Sequence, residues 1–242
     1  MKSLARRARR IHEVLLGTYG EPLWRTPLPP IDELISTILS QNTNDLNRDR
    51  AFTSLRAKFP TWEAVRDAPK GEVITAIRSA GLANQKGPRI QNVLREITRE
   101  RGALDLAFLA EVEAEDARAW LMKFKGVGPK TAAIVLLFSL NKPAFPVDTH
   151  IYRVSGRIGL RPPKMTVEQA HARLENLLPP ETYYAAHLNL IRLGREVCHP
   201  RKPSCPVCPV RKLCDYEPKS QPQEVNRRKP MSSVGGRDKA DG

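Results

Sequence analysis

Residues 125–148 read Lys-Gly-Val-Gly-Pro-Lys-Thr-Ala-Ala-Ile-Val-Leu-Leu-Phe-Ser-Leu-Asn-Lys-Pro-Ala-Phe-Pro-Val-Asp, and this stretch constrains the fold more than any other. Upstream of it, Ala117, Trp120, Leu121 and Phe124 fall at helical spacing. Downstream of the glycines the chain continues as an apolar helix. Gly126 and Gly128 therefore stand between two helices. Glycine reaches the backbone angles that a tight reversal needs, and it lets another backbone come close. Pro129 suits a first helical position, where its missing N–H is no loss. Such a turn presents free N–H groups at a helix N-terminus, an arrangement that holds anions.

Charge says which anion to expect. The 242 residues carry 40 Lys+Arg against 26 Asp+Glu, a formal +14. A charge of that size says little about fold and much about partners. Nucleic acid comes first and an acidic membrane surface second. The longest apolar run, Ala132 to Leu140, is too short to span a bilayer and contains Ser139. No apolar stretch follows the basic start, so no secretory signal is expected. Met1 to Arg10 holds five basic residues and no acid, as a transit peptide does, but a basic amphipathic first helix with Leu4, Ile11 and Leu15 inward fits better. The length suits one large domain or two small ones.

The chain reads as helical nearly throughout. Pro27-Leu28-Pro29-Pro30 closes the first helix, and Ile31, Leu34, Ile35, Ile38 and Leu39 make the stripe of the next. Ser40-Gln41-Asn42-Thr43-Asn44 is a polar turn, and Gly81-Leu82-Ala83-Asn84 is a second. Between them Phe52, Leu55 and Phe59 mark one helix, and shorter ones follow from Thr61 and around Val73, Ile74 and Ile77. Ile90, Val93, Leu94 and Ile97 mark a longer helix, stopped by Gly102. Asp148 is placed to cap a helix over 149–157. Thr166-Val167-Glu168-Gln169 is a capping box, and a last helix runs from about Glu181 to Val197. No period-2 strand pattern stands out. Beyond Tyr216 the composition is too polar to bury a core, so residues 217–242 are predicted to be a disordered basic tail.

All four cysteines, Cys198, Cys205, Cys208 and Cys214, fall within 17 residues at spacing C-x6-C-x2-C-x5-C. In a chain without an export signal, clustered thiols point to a metal rather than to disulfides. Four thiolates suit zinc or an iron–sulfur cluster, and the spacing alone leaves both open.

Lys130 follows the glycine turn at a helix N-terminus. Most helical lysines are simply solvated; a functional role would be that of an amine nucleophile. Asp148 is a helix cap on one reading and a carboxylate facing a developing sugar cation on another, and both can hold together. Gln41 and Leu82 lie in turns next to helices and would be unremarkable alone.

Three features in series resemble the endonuclease III family of helix–hairpin–helix DNA glycosylases. They are Gly126-Val127-Gly128-Pro129-Lys130-Thr131-Ala132, then Val147-Asp148-Thr149-His150, then the cysteine spacing. The similarity runs from about Ile31 to Asp215. It implies an all-α, two-lobed protein: a six-helix barrel over 31–141, and a second lobe of 1–30 with 142–216 holding a [4Fe–4S] cluster on the four cysteines. DNA would lie in the cleft between the lobes, with the damaged base flipped out of the stack. By position, Lys130 matches the nucleophile that forms a Schiff base at the sugar, and Asp148 matches the carboxylate that assists it. Gln41 and Leu82 match the residues that fill the gap left by the flipped nucleotide. Lys125, Gly126, Val127 and Gly128 match the DNA-binding hairpin, with the glycine N–H groups on a phosphate. The resemblance implies removal of oxidised pyrimidines from duplex DNA, followed by β-elimination at the abasic site. It also implies a monomer in the cytoplasm, associated with a bacterial nucleoid and no membrane.

Two departures stand out. Lys125 occupies a position that is often proline in the family, and Ser40-Gln41-Asn42-Thr43-Asn44-Asp45 departs from the commoner Ala-Gln-Thr-Thr form. The alternatives are a monofunctional glycosylase for mismatched or alkylated bases and a non-catalytic, metal-stapled DNA-binding module. The pair Lys130 and Asp148 disfavours the module, because binding alone needs neither.

Overall fold

Helix α8 (Pro129–Ser139) explains the architecture. Thr131, Ala132, Ala133, Val135, Leu136, Leu137 and Phe138 are all buried, so this helix has almost no solvent face. A helix apolar all round must be covered on all sides. In the computed structural model, which describes residues 2–216, α8 meets two separate cores. Its Ala132, Ala133, Val135 and Leu136 enter one, and its Leu137 and Phe138 enter the other.

Eleven α-helices and five short 3-10 turns make up the described residues, with no β-strand among them. The first core gathers buried side chains from Ile31 to Ala144. It is built by α2 (Pro30–Ser40), α3 (Asp45–Lys58), α4 (Trp62–Asp67), α5 (Lys70–Ala76), α6 (Ala83–Arg101) and α7 (Ala114–Met122), with α8 packed most extensively on α2. The second core joins Ala8, Ile11 and Leu15 of α1 (Lys2–Tyr19) to side chains from Leu137 onward to Val210. It includes α9 (Thr149–Arg157), α10 (Val167–Glu175) and α11 (Tyr183–Glu196). The chain thus leaves the second core after α1, builds the first, and returns through α8. The tail predicted over 217–242 lies outside the described residues.

Local signals hold at the helix ends. Asp148 accepts a hydrogen bond from the Ile151 N–H at 2.7 Å and starts α9. Thr166 and Gln169 form the reciprocal capping box at α10. The last helix starts at Tyr183, after a 3-10 turn over Pro180–Thr182. Two polar links join the cores. The Arg118 guanidinium of α7 lies 2.6 Å from Glu175 of α10, whose Oε1 also accepts from the Phe145 N–H at 2.8 Å. Near the surface Arg195 of α11 pairs with Asp45 of α3 at 3.1 Å.

Candidate active site

The hairpin between α7 and α8 has the form that the glycines suggest. Gly126 sits at φ +91°, a region open to glycine and strained for other residues. The Val127 N–H donates back to the Phe124 carbonyl at 3.0 Å, closing the turn. Among the described residues the N–H groups of Gly126, Gly128 and Lys130 donate to no backbone carbonyl. These donors, with the positive end of the α8 dipole, make an anion seat. Lys125 and Gly126 are exposed beside it. Val127 is turned the other way. Its side chain is buried in the first core and its N–H is spent on Phe124. Its side chain packs the hairpin, which leaves the backbone carbonyl as its group for a contact with DNA.

Lys130 stands half-buried on the first turn of α8, and Asp148 half-buried as the cap of α9. One buried group senses both. His187 of α11 is 4% exposed, and its Nδ1 is 3.0 Å from the Pro146 carbonyl. Burial drives its pKa well below the usual imidazole range, the Asp148 carboxylate pulls it up, and the Lys130 ammonium pushes it down again. Helix α11, which carries His187, packs on both α8 and α9, the helices whose starts carry Lys130 and Asp148. A second buried imidazole, His171 of α10, is 2.9 Å from the Phe145 carbonyl. Burial pushes it down to about 4, opposed by that hydrogen bond, with Arg118 and Lys130 lowering it further.

Two further residues reach the hairpin from elsewhere. The Gln41 Nε2 donates to the Gly126 carbonyl at 3.1 Å, and its Oε1 accepts from Arg89 at 2.6 Å. The Arg89 side chain lies directly over the Gly126 Cα, where a Cβ would overlap its Cδ and Nε. Leu82 occupies the other turn, at φ 50° and ψ 30° and 47% exposed. A left-handed leucine costs roughly 1–2 kcal/mol. An exposed apolar side chain held in that conformation marks a position selected for something other than packing. Arg89, His171 and His187 were not singled out in the sequence. Both histidines fall in register with buried residues, three before Leu174 and three before Leu190, and that register could have drawn attention to them.

The four cysteines are each partly exposed and line one cavity, together with Ile158, Leu193, Val197 and Val210. Burial pushes the thiols of Cys208 and Cys214 up, and the neighbouring thiols add to the shift. Among the described residues no three His, Cys, Asp or Glu side chains are grouped as a single ion would require. The segment is tied down from outside: Arg157 donates to the Cys198 Sγ at 3.3 Å and to the His199 carbonyl at 2.6 Å, and Arg7 donates to the Leu213 carbonyl at 2.7 Å. The donor set is all thiol, and the apolar lining is joined by Arg157 and Arg211, whose charge suits an anionic iron–sulfur–thiolate cluster.

An all-helical two-core fold, an anion-binding helical hairpin, and a lysine and carboxylate beside it define a helix–hairpin–helix DNA glycosylase. The chain belongs to the HhH-GPD superfamily of base excision DNA repair proteins, which it matches over residues 35–180. It is homologous to endonuclease III. The Thermotoga maritima endonuclease III is 32% identical over 199 residues, which cover 82% of this chain and 89% of that protein. An Arabidopsis thaliana protein whose name assigns it, provisionally, to the DNA glycosylases is 38% identical over 165 residues; that is 68% of this chain and 56% of the plant protein, so the chain spans little more than half of its length. A trapped covalent endonuclease III–DNA intermediate superimposes with a TM-score of 0.74 at 28% identity, covering 87% of this chain and 95% of the other. Among the described residues no helix is long and apolar enough to cross a membrane.

Proposed function

We propose that this protein is a bifunctional DNA glycosylase and abasic-site lyase that removes oxidised pyrimidines from duplex DNA. One observation carries the reading. Lys130 stands on the first turn of α8, directly after a hairpin whose Gly126, Gly128 and Lys130 N–H groups donate to no backbone carbonyl among the described residues, and Asp148 caps α9, which packs on the same helix α11 as α8 does. The hairpin N–H groups would grip the backbone through a phosphate oxygen. That grip sets the distance from the sugar to Lys130, on the next turn of chain.

The chemistry follows from an amine and a carboxylate at one sugar. Once the Lys130 ammonium has given a proton to water, its amine attacks C1′, and the bond from C1′ to the base breaks with its electron pair leaving on the base, which takes up a proton from water. The lysine proton passes to the Asp148 carboxylate, whose Oδ1 is held by Ile151 and whose Oδ2 remains for this task. Opening of the sugar ring gives a protonated Schiff base between C1′ and Nζ. Loss of a C2′ proton then expels the 3′ phosphate, and water hydrolyses the imine. The base is first extruded from the stack, and we assign Gln41 and Leu82 to the space that it leaves. The two cores act as two lobes on either side of the DNA. The protein works as a monomer on chromosomal DNA in the bacterial cytoplasm.

Cys198, Cys205, Cys208 and Cys214 would hold a [4Fe–4S] cluster. The C-x6-C-x2-C-x5-C spacing within a member of this superfamily supports the cluster over zinc. When bound, the cluster fastens the segment after α11 and takes no part in the steps above. Purified protein that is brown and absorbs visible light supports the cluster; colourless protein with stoichiometric zinc overturns it.

Borohydride reduction tests the mechanism. The wild type should give a covalent adduct with DNA containing an oxidised pyrimidine, and Lys130→Ala should give none. Active wild type that is never trapped would instead support a monofunctional glycosylase, and a trapped Lys130→Ala would move the nucleophile elsewhere.

A further inference from the structure

Lys86 is 1% exposed, which makes it a fully buried charged side chain on α6. Its ammonium donates to the Leu39 carbonyl at 2.8 Å and to the Ala80 carbonyl at 2.7 Å. No carboxylate acts on it: burial, and then the neighbouring Arg89, lower its pKa. Burying a cation without a counter-ion is costly. A methionine would fill much the same volume without that cost, so packing does not explain the lysine.

Its two partners do. Leu39 lies in the last turn of α2, where carbonyls lack helical partners. Ala80 ends the 3-10 turn Arg78–Ala80. Two residues past Leu39 stands Gln41, and two residues past Ala80 stands Leu82. One ammonium therefore caps two chain ends whose next residues form the two exposed turns. Arg89, one helical turn further along α6, holds the Gln41 side chain from outside. Helix α6 thus fixes both turns against each other, from within through Lys86 and at the surface through Arg89.

We propose that Lys86 is a positioning residue for base extrusion: by tying the Leu39 carbonyl to the Ala80 carbonyl, it sets the separation of Gln41 and Leu82 as they enter the duplex. The proposal rests on the reading that these two residues fill the gap left by the flipped nucleotide. Lys86 is buried and cannot touch DNA, so any effect on DNA distortion must pass through the two turns.

The test uses a duplex with a tetrahydrofuran abasic analogue and 2-aminopurine beside it, whose fluorescence rises when its neighbours unstack. The readout is the rise at saturating protein, for wild type, Leu82→Ala and Lys86→Met. The expected result is a rise reduced at least threefold in both variants. A reduced rise for Leu82→Ala with a wild-type rise for Lys86→Met overturns the Lys86 proposal and leaves the gap-filling reading intact. A wild-type rise for Leu82→Ala overturns that reading, and the Lys86 proposal with it. A merely structural lysine would lower the melting temperature of Lys86→Met without changing the rise of the saturated complex. If Lys86→Met does not fold, Lys86→Arg, which keeps the charge but displaces the carbonyls, is judged by the same rule. If neither folds, Lys86 is structural and the proposal fails.

Discussion

The Gln41 amide is locked onto the hairpin glycine Gly126: its Nε2 donates to the Gly126 carbonyl at 3.1 Å while Arg89 occupies its Oε1 at 2.6 Å. Because arginine only donates and a carbonyl only accepts, the two partners fix which way the amide points. The turn after α2 and the hairpin between α7 and α8 therefore form one surface. A shift in the hairpin reaches Gln41 directly through the Gly126 carbonyl and again through Arg89.

Gly126→Ala should disturb both ends of that link. The residue sits at φ +91°, and its new methyl would meet the Arg89 side chain. Backbone strain of roughly 1–2 kcal/mol is expected, which for a chain of this size lowers Tm by about 2–8 °C. Arg89 must also swing away and release Gln41, so affinity for duplex should fall on the order of tenfold. Gly17→Ala is the contrasting case, because a helical glycine with open space around it should gain roughly 0.5–1 kcal/mol. Thermal melts and fluorescence anisotropy read both effects. A Gly126→Ala protein with wild-type affinity would show that Arg89 and Gln41 do not depend on the hairpin.

What the sequence disclosed was mainly local. Gly126, Pro129, Asp148 and the Thr166–Gln169 box each act on neighbours a few residues away, so spacing alone places them. The burial of α8 followed from its unbroken apolar run. Lys86 lies four residues before Ile90, on the stripe that continues through Val93, Leu94 and Ile97. A charge on that stripe signals a buried cation, yet its partners at Leu39 and Ala80 lie on other helices and leave no local mark. The same holds for Arg89 over Gly126. A motif gives residues in order but not the direction in which each side chain turns, so the burial of the Val127 side chain is seen only in the structure.

Asp148 separates a cap from a catalyst. Asparagine offers the same Oδ1 to the Ile151 N–H, so Asp148→Asn should keep the fold within about 0.5 kcal/mol. It cannot take the lysine proton, and base release should slow by roughly 10²–10⁴. Asp148→Ala loses the cap as well and should cost about 0.5–2 kcal/mol. Single-turnover base release and thermal melts on the same samples distinguish the roles. An Asp148→Asn enzyme with a wild-type rate would reduce Asp148 to a helix cap.

Acid should loosen the protein through its buried imidazoles, and His171 gives the cleaner case. Its Nδ1 faces the Phe145 carbonyl, which only accepts, so the neutral ring carries its proton there. The Nε2 is buried without a partner, and a second proton would become an unpaired buried donor. This places the folded pKa near 4, below the ordinary 6.5. Between those values the unfolded chain binds the proton and the folded one does not. The stability is therefore fully present above pH 6.5 and lost as pH falls toward 4. The contribution at stake is roughly 3 kcal/mol, and His187 is shifted in the same direction, again chiefly by burial. His171→Asn keeps a donor for Phe145 but cannot take up a proton. Its urea midpoint should fall less than that of the wild type between pH 7 and pH 4.5. Equal slopes for the two proteins would show that His171 titrates alike in the folded and unfolded chain, and that the acid loss comes from other groups, His187 among them.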